Sequence, residues 1–208
     1  MIKALKDRGS FLCSAEEKDK LKNYMWKPDK HGRSALNPDI IAKSAVQIAA
    51  GAGIAVPENT GILLVKGDMP LEDDLFAQEK LSPVLTVYEY DSFEEGVAIL
   101  IRLTDNSGTG HSCGIHTFNK EHIQLLGQRM KTSRIMVRQP QAAANGGAFF
   151  NGMPSTVTMG CGTWGNNITT ENISCKHFIN VTWLSEPIPV NRPSDDSVWG
   201  DYFAKYGR

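Results

Sequence analysis

The chain has 208 residues, enough to bury one substantial core, and its 22 basic and 23 acidic side chains leave a formal net charge of -1. A balance so near zero, with no local block of one sign, excludes the electrostatic footprint of a nucleic-acid or anionic-membrane binder. Hydrophobic residues make up 41% of the chain, yet runs such as Gly61–Val65 are too short to span a bilayer. No charged leader followed by an apolar stretch opens the sequence, and Cys13, Cys113, Cys161 and Cys175 show no C-x-x-C pairing. Both features lead us to expect a cytoplasmic protein with free thiols.

Ser14-Ala-Glu-Glu17 has the form of a capping box, in which hydroxyl and carboxylate satisfy unpaired N–H groups at a helix start. About three turns of helix should follow, with Leu21, Tyr24 and Met25 as its apolar stripe. The polar stretch Lys27–Arg33 ends it. Asn37-Pro38 then reads as an N-cap with proline at the first helical position, opening a helix that carries Ile41, Ala45, Ile48, Ala49 and Ala52 on one face. Gly53 stands where a left-handed C-cap belongs. Residues 61–66 and 84–90 read as buried strands. A helix over 92–104, opened by Ser92-Phe-Glu-Glu95, has Phe93, Val97, Leu100 and Ile101 on one side. Strand 111–118, helix 120–130 and strand 133–138 continue the alternation. Strands separated by helices of ten residues or more imply right-handed crossovers, so the expected class is α/β with a mainly parallel sheet flanked by helices.

Residues 139–176 have little periodicity. A loop this long is more often a functional wall than a spacer, and its run Met159-Gly-Cys-Gly-Thr-Trp-Gly-Asn-Asn-Ile-Thr-Thr-Glu-Asn172 combines tight glycine turns with a thiol, an indole and several amides. Glycine is spent where the backbone needs φ > 0 or a close approach, which suits a loop that meets a ligand. His177–Ser185 then alternates as a strand without an obvious hairpin partner. It should either join a neighbouring subunit's sheet or pair internally. Sequons at Asn167, Asn172 and Asn180 are discounted because no export signal accompanies them.

Pro57-Glu-Asn-Thr60, Gln78-Glu-Lys-Leu-Ser-Pro-Val84, Gly110-His-Ser112, Lys131-Thr-Ser-Arg-Ile135 and the glycine-rich run occur in the order and spacing of CoA-acylating aldehyde dehydrogenases. The chain resembles that family from about its first residue to about Ser185. Thr182-Trp-Leu-Ser-Glu-Pro-Ile188 and Gly200-Asp-Tyr-Phe-Ala-Lys-Tyr206 look most like its sulfoacetaldehyde-type branch. The resemblance implies a catalytic-domain portion over 1–176, and an oligomerisation strand with a Pro-rich tail over 177–208, hence a homo-oligomer. It also implies oxidation of an aldehyde with CoA to an acyl-CoA, with NAD or NADP taking the hydride.

The same resemblance implies site residues. Glu79 should accept hydrogen bonds from the nicotinamide ribose, with Gly160, Gly162 and Trp164 as further cofactor-binding positions, and His111 should support catalysis or contact CoA. An exposed loop glutamate and a satisfied core histidine are the plain alternatives. No cysteine here matches the family's nucleophile, which would lie upstream of Met1. Cys13 falls just before a helix, Cys113 within a strand, Cys161 in the glycine loop near the pocket, and Cys175 has no motif around it. No G-x-G-x-x-G follows a strand, so a dinucleotide fold is not visible. His111, Cys113 and His116 form H-x-C-x-x-H, but His116 would point to the opposite face of a strand, which disfavours a metal. Two other functions stay open: an inert assembly or regulatory module, and an acyl-phosphate reductase.

Overall fold

A computed structural model describes residues 1–208. Residues Met1–Ser174 form one compact unit and Cys175–Arg208 another. In the first, α1 (Ile2–Lys6) leads to β1 (Ser10–Leu12), then to α2 (Ala15–Met25). Ser14 caps α2 as expected: its hydroxyl accepts from the Glu17 N–H, and the Glu17 carboxylate accepts from the Ser14 N–H at 2.7 Å. The polar stretch that follows is the turn of a small antiparallel hairpin, β2 (Trp26–Pro28) with β3 (Ser34–Leu36). Asp29 closes that turn by accepting from the His31 and Arg33 N–H groups.

The single helix expected from Asn37 to Ala52 is two pieces. Asn37 and Pro38 open only a 3-10 turn, Pro38–Ile40. Ala42 then takes φ 59°, which a helix cannot continue. The chain restarts as α3 (Ala45–Gly51) under a second capping box, Ser44 with Gln47. Gly53 has the expected left-handed φ of 70°.

Next come β4 (Ile62–Lys66) and β5 (Val84–Val87), which with β1 form a parallel sheet in the order β1-β4-β5. Leu63, Leu64 and Val65 are fully buried one after another, the pattern of a central strand covered on both faces. Helix α4 (Phe93–Asn106) leads to β6 (Cys113–Ile115), α5 (Lys120–Arg129), β7 (Ile135–Val137) and the short α6 (Gln141–Ala144). β6 and β7 pair in parallel as a second, two-stranded sheet. At the start of α4, Ser92 caps the Glu95 N–H, whereas the Glu95 carboxylate reaches the N–H of Asp91. Strands β4 to β7 are each shorter than the sequence suggests, and β1, β2 and β3 are not among the expected strands. Apolar packing falls into separate clusters, the largest under β4 and α3, another formed by Val97, Cys113, Leu126 and Met130.

In the second unit the expected strand over 177–185 is not formed within the chain. A 3-10 turn, Cys175–His177, precedes an extended segment with no ladder, and Phe178, Val181, Trp183 and Leu184 lie exposed. Helix α7 (Asp195–Tyr206), unforeseen, is capped by Ser194 and opened by Asp195 and Asp196, whose charge suits a helix start. No helix is long and apolar enough to cross a membrane.

Candidate active site

Glu79 and His111 line one cavity of about 440 Å³, although 31 residues separate them in sequence. One wall is the turn after Phe76, the other the end of α4 and the start of the approach to β6. The Glu79 N–H donates to Ser107 Oγ at 3.1 Å, which fastens this turn to the C-terminal cap of α4. Lys80 folds back and donates from Nζ to the carbonyls of Phe76 (2.7 Å) and Gln78 (3.0 Å). Thr86 Oγ1 also donates to the Phe76 carbonyl, joining the turn to β5. Leu81 completes the turn at φ 45°, a left-handed value that a branched residue adopts only when its surroundings enforce it. Burial pushes the Lys80 ammonium down to about 8, with the Asp74 carboxylate acting in the opposite sense. Asp74 is itself occupied, accepting from the Asp68 and Phe76 N–H groups and from the Tyr88 hydroxyl.

His111 sits at the cavity's other wall with Nδ1 2.7 Å from Ser112 Oγ. Ser112 is held in turn by Gln141, whose Nε2 donates to both the Ser112 carbonyl and its hydroxyl at 3.0 Å, and by Asn145 Nδ2 at 3.2 Å. His111 precedes β6 and His116 follows it, while Cys113 is buried within it.

The glycine-rich run folds as two limbs joined by a tight turn. Met159 pairs with Asn172, and the Gly160 and Gly162 N–H groups donate to the carbonyls of Glu171 and Thr169. Asn167 spans the turn, accepting from the Cys161 N–H at 2.8 Å. A Cβ on Gly160 would lie 2.2 Å from the Thr169 carbonyl oxygen, so this glycine admits the opposite limb of its own loop. Gly162 is needed for its φ of 62°. Trp164 is about half exposed on the turn. These three residues do not line the cavity that holds Glu79 and His111; the loop touches that region through Gly110, whose Cβ would lie 2.2 Å from the Cys161 carbonyl oxygen.

Arg134 holds the loop in place. It is 4% exposed. Its guanidinium donates to Asn172 Oδ1 (2.7 Å), Gly160 O (2.9 Å) and Thr170 O (3.1 Å), and reaches the His111 carbonyl at 3.5 Å. Asn172 Nδ2 donates onward to the Asn145 and Pro154 carbonyls. In the sequence Arg134 stands out only as part of Lys131–Ile135; its burial in a segment bracketed by Thr132 and Met136 has no signature there. Asn172, one of the three sequons, is a buried structural amide.

The thiols divide by burial. Cys13 is buried before α2, and desolvation together with the nearby Glu17 charge pushes it up to about 11. Cys113 is raised by burial as well, its Sγ 3.6 Å from Thr132 Oγ1. Neither is an activated nucleophile. Cys161 is half-buried and Cys175 exposed.

This parallel α/β arrangement is the aldehyde dehydrogenase fold: the chain superposes on the crystal structure of an acetylating aldehyde dehydrogenase from Geobacillus thermoglucosidasius with a TM-score of 0.78 and 28% identity, covering 91% of this chain and 41% of that one. More specifically, the chain is similar over nearly its whole length to part of the acylating aldehyde dehydrogenases. It is 56% identical over 204 residues to the sulfoacetaldehyde dehydrogenase (acylating) of Bilophila wadsworthia (strain 3_1_6), covering 98% of this chain and 44% of that protein. It is 61% identical over 194 residues to a sulfoacetaldehyde dehydrogenase of Acholeplasma sp, covering 93% of this chain and 40% of that protein. The chain thus spans less than half the length of these relatives. No family model matches it.

Proposed function

We propose that these 208 residues are the C-terminal catalytic portion of an NAD(P)-dependent, CoA-acylating aldehyde dehydrogenase acting on sulfoacetaldehyde. In this reading the attacking cysteine and the dinucleotide-binding half belong to the part of the relatives that this chain does not span. The observation that carries the proposal is the meeting of Glu79 and His111 in one cavity, within a chain 56% identical to a protein named for this chemistry. Neither the assembly module nor the acyl-phosphate reductase gains support from the relatives.

The residues present fit one end of the nucleotide. An ionised carboxylate offers about four acceptor sites and suits vicinal ribose hydroxyls, and a cavity of this size is on the scale of a small-molecule pocket. When bound, the nucleotide accepts the hydride and CoA carries away the acyl group. The chain's own contribution is positional. Ser107 and Lys80 hold the turn that carries Glu79, and Arg134 holds the glycine loop against Gly110 beside His111. In the second unit, we propose that the exposed segment from Phe178 to Leu184 becomes a strand on assembly with another copy.

The test is a protein that carries these residues joined to the remaining length of its relatives. It should reduce NAD+ or NADP+ with sulfoacetaldehyde only when CoA is present, with acyl-CoA as product. Reduction that ignores CoA, or none with any short aldehyde, would refute the assignment. The 208-residue chain alone should give no turnover.

A further inference from the structure

The environment of His111 decides which of its ring nitrogens carries the proton. Ser112 Oγ has one hydrogen to give and two lone pairs to receive with. The amide nitrogen of Gln141 must face Ser112, because it donates to the Ser112 backbone carbonyl at 3.0 Å, an acceptor only. The same nitrogen donates to Ser112 Oγ at 3.0 Å, and Asn145 Nδ2 donates to it at 3.2 Å. Two N–H donors therefore occupy both lone pairs. The remaining contact of Ser112 Oγ, 2.7 Å to His111 Nδ1, is the one its own hydrogen must fill. Nδ1 thus accepts, and in a neutral imidazole the proton then resides on Nε2. No residue of the chain pairs with Nε2, while His111 lines the cavity with Glu79 and Lys80.

We infer that Ser112, locked by Gln141 and Asn145, is a positioning residue that fixes His111 as its Nε2–H tautomer, so that His111 serves the cavity as a hydrogen-bond donor to a carbonyl oxygen and not as a base. An Nε2 already bearing hydrogen has no lone pair to take a proton. Protonating Nδ1 instead would place three donors around one hydroxyl oxygen. Gln141 and Asn145 lie on α6 and at its C-terminal cap, so this short helix carries both amides to one hydroxyl. The tautomer follows from the hydrogen-bond geometry with Asn145 Nδ2 facing Ser112. Only the identity of the carbonyl, on the aldehyde-derived group or on the nicotinamide carboxamide, rests on the proposed function.

The tautomer is read from the 208-residue chain labelled with 15N-histidine, by two-bond 15N–1H correlation at neutral pH. For His111 we expect an unprotonated shift at Nδ1 and a protonated one at Nε2. Ser112→Ala should draw both shifts toward the averaged values of a free imidazole, and Ser112→Thr, which restores the hydroxyl, should bring them back. A protonated Nδ1 in the wild type overturns the inference without any variant, as does a Ser112→Ala spectrum identical to it. In the longer CoA-dependent enzyme, His111→Ala should cost about 100-fold in kcat/KM, the usual scale for one lost donor. His111→Gln, an amide donor that does not titrate, should recover at least about tenfold of that loss. A loss expressed against the aldehyde assigns the acceptor to the substrate carbonyl, and one confined to the nucleotide KM assigns it to the carboxamide; both support the donor role. Equal inactivity of the Ala and Gln variants overturns it. If the longer enzyme has no CoA-dependent turnover, the proposed function fails while the nitrogen shifts still decide the tautomer.

Discussion

Arg134 Nε donates to Asn172 Oδ1 at 2.7 Å across 38 residues of chain, and both side chains are almost completely buried. The guanidinium is solvated by peptide oxygens and one amide in place of water. Arg134→Met would leave the Gly160 and Thr170 carbonyls and the Asn172 amide oxygen without their donor, a loss on the order of 3 kcal/mol in unfolding free energy. Asn172→Ala should cost a similar amount. Because the two share partners, the double variant should be less damaging than the sum, with a coupling of at least about 1 kcal/mol in denaturant titrations. Simple additivity would mean that the two side chains act separately.

Gly110 has φ 87°, and an added Cβ would sit 2.2 Å from the Cys161 carbonyl oxygen. Backbone on both sides leaves no flexible atom to yield. Gly110→Ala should therefore cost more than about 2 kcal/mol and separate the glycine loop from His111. Gly127, within α5, meets nothing within 4 Å. Gly127→Ala should stabilise by roughly 0.5–1 kcal/mol through helix propensity alone. Thermal melts of the two variants should move in opposite directions.

Lys80 makes stability depend on pH in the alkaline range. Its ammonium is pushed down to about 8 from 10.5 in the folded chain. Between those values the unfolded chain binds more protons, so unfolding free energy rises with pH across the window; the cost of the buried charge is fully present below it. Relative to Lys80→Met, the wild type should gain up to about 3 kcal/mol from pH 8 to pH 10.5. Cys13 is pushed up to about 11 and works in the opposite sense, losing stability above its ordinary value, but it is common to both proteins and cancels. Parallel stability curves for the two proteins would count against the buried ammonium.

Alkylation should sort the four thiols by burial. Cys175 is exposed and Cys161 half-buried, whereas Cys13 and Cys113 are buried with raised thiols. Iodoacetamide at neutral pH should modify Cys175 and Cys161 at least about tenfold faster than the other two, as mapped by peptide mass spectrometry. Modification of Cys13 first would mean that it is an accessible nucleophile.

Elements whose signals are local were legible in the sequence: Ser14 with Glu17, the left-handed Gly53, and the alternation from β4 to β7. The second capping box at Ser44 was obscured by the stronger-looking Asn37-Pro38, because nothing local announces that Ala42 turns left-handed. The β2–β3 hairpin has only three residues per strand, too few for a period to register. Helix α7 lay behind a proline-rich approach, although Ser194 and the two aspartates after it are an ordinary helix start. Of the site, Glu79 and His111 could be named from their motifs. Their shared cavity could not be read from the sequence, nor could Arg134, Ser112, Gln141 and Asn145 be recognised, since the importance of each comes from partners distant in sequence.

The separation of apolar packing within residues 1–174 governs how this unit comes apart. Leu63 and Val65 belong to one cluster and Cys113 to another, so amide protons on β4 and those on β6 are guarded by different sets of side chains. Deuterium should therefore reach the two sheets at distinct rates, with β4 the last region to yield.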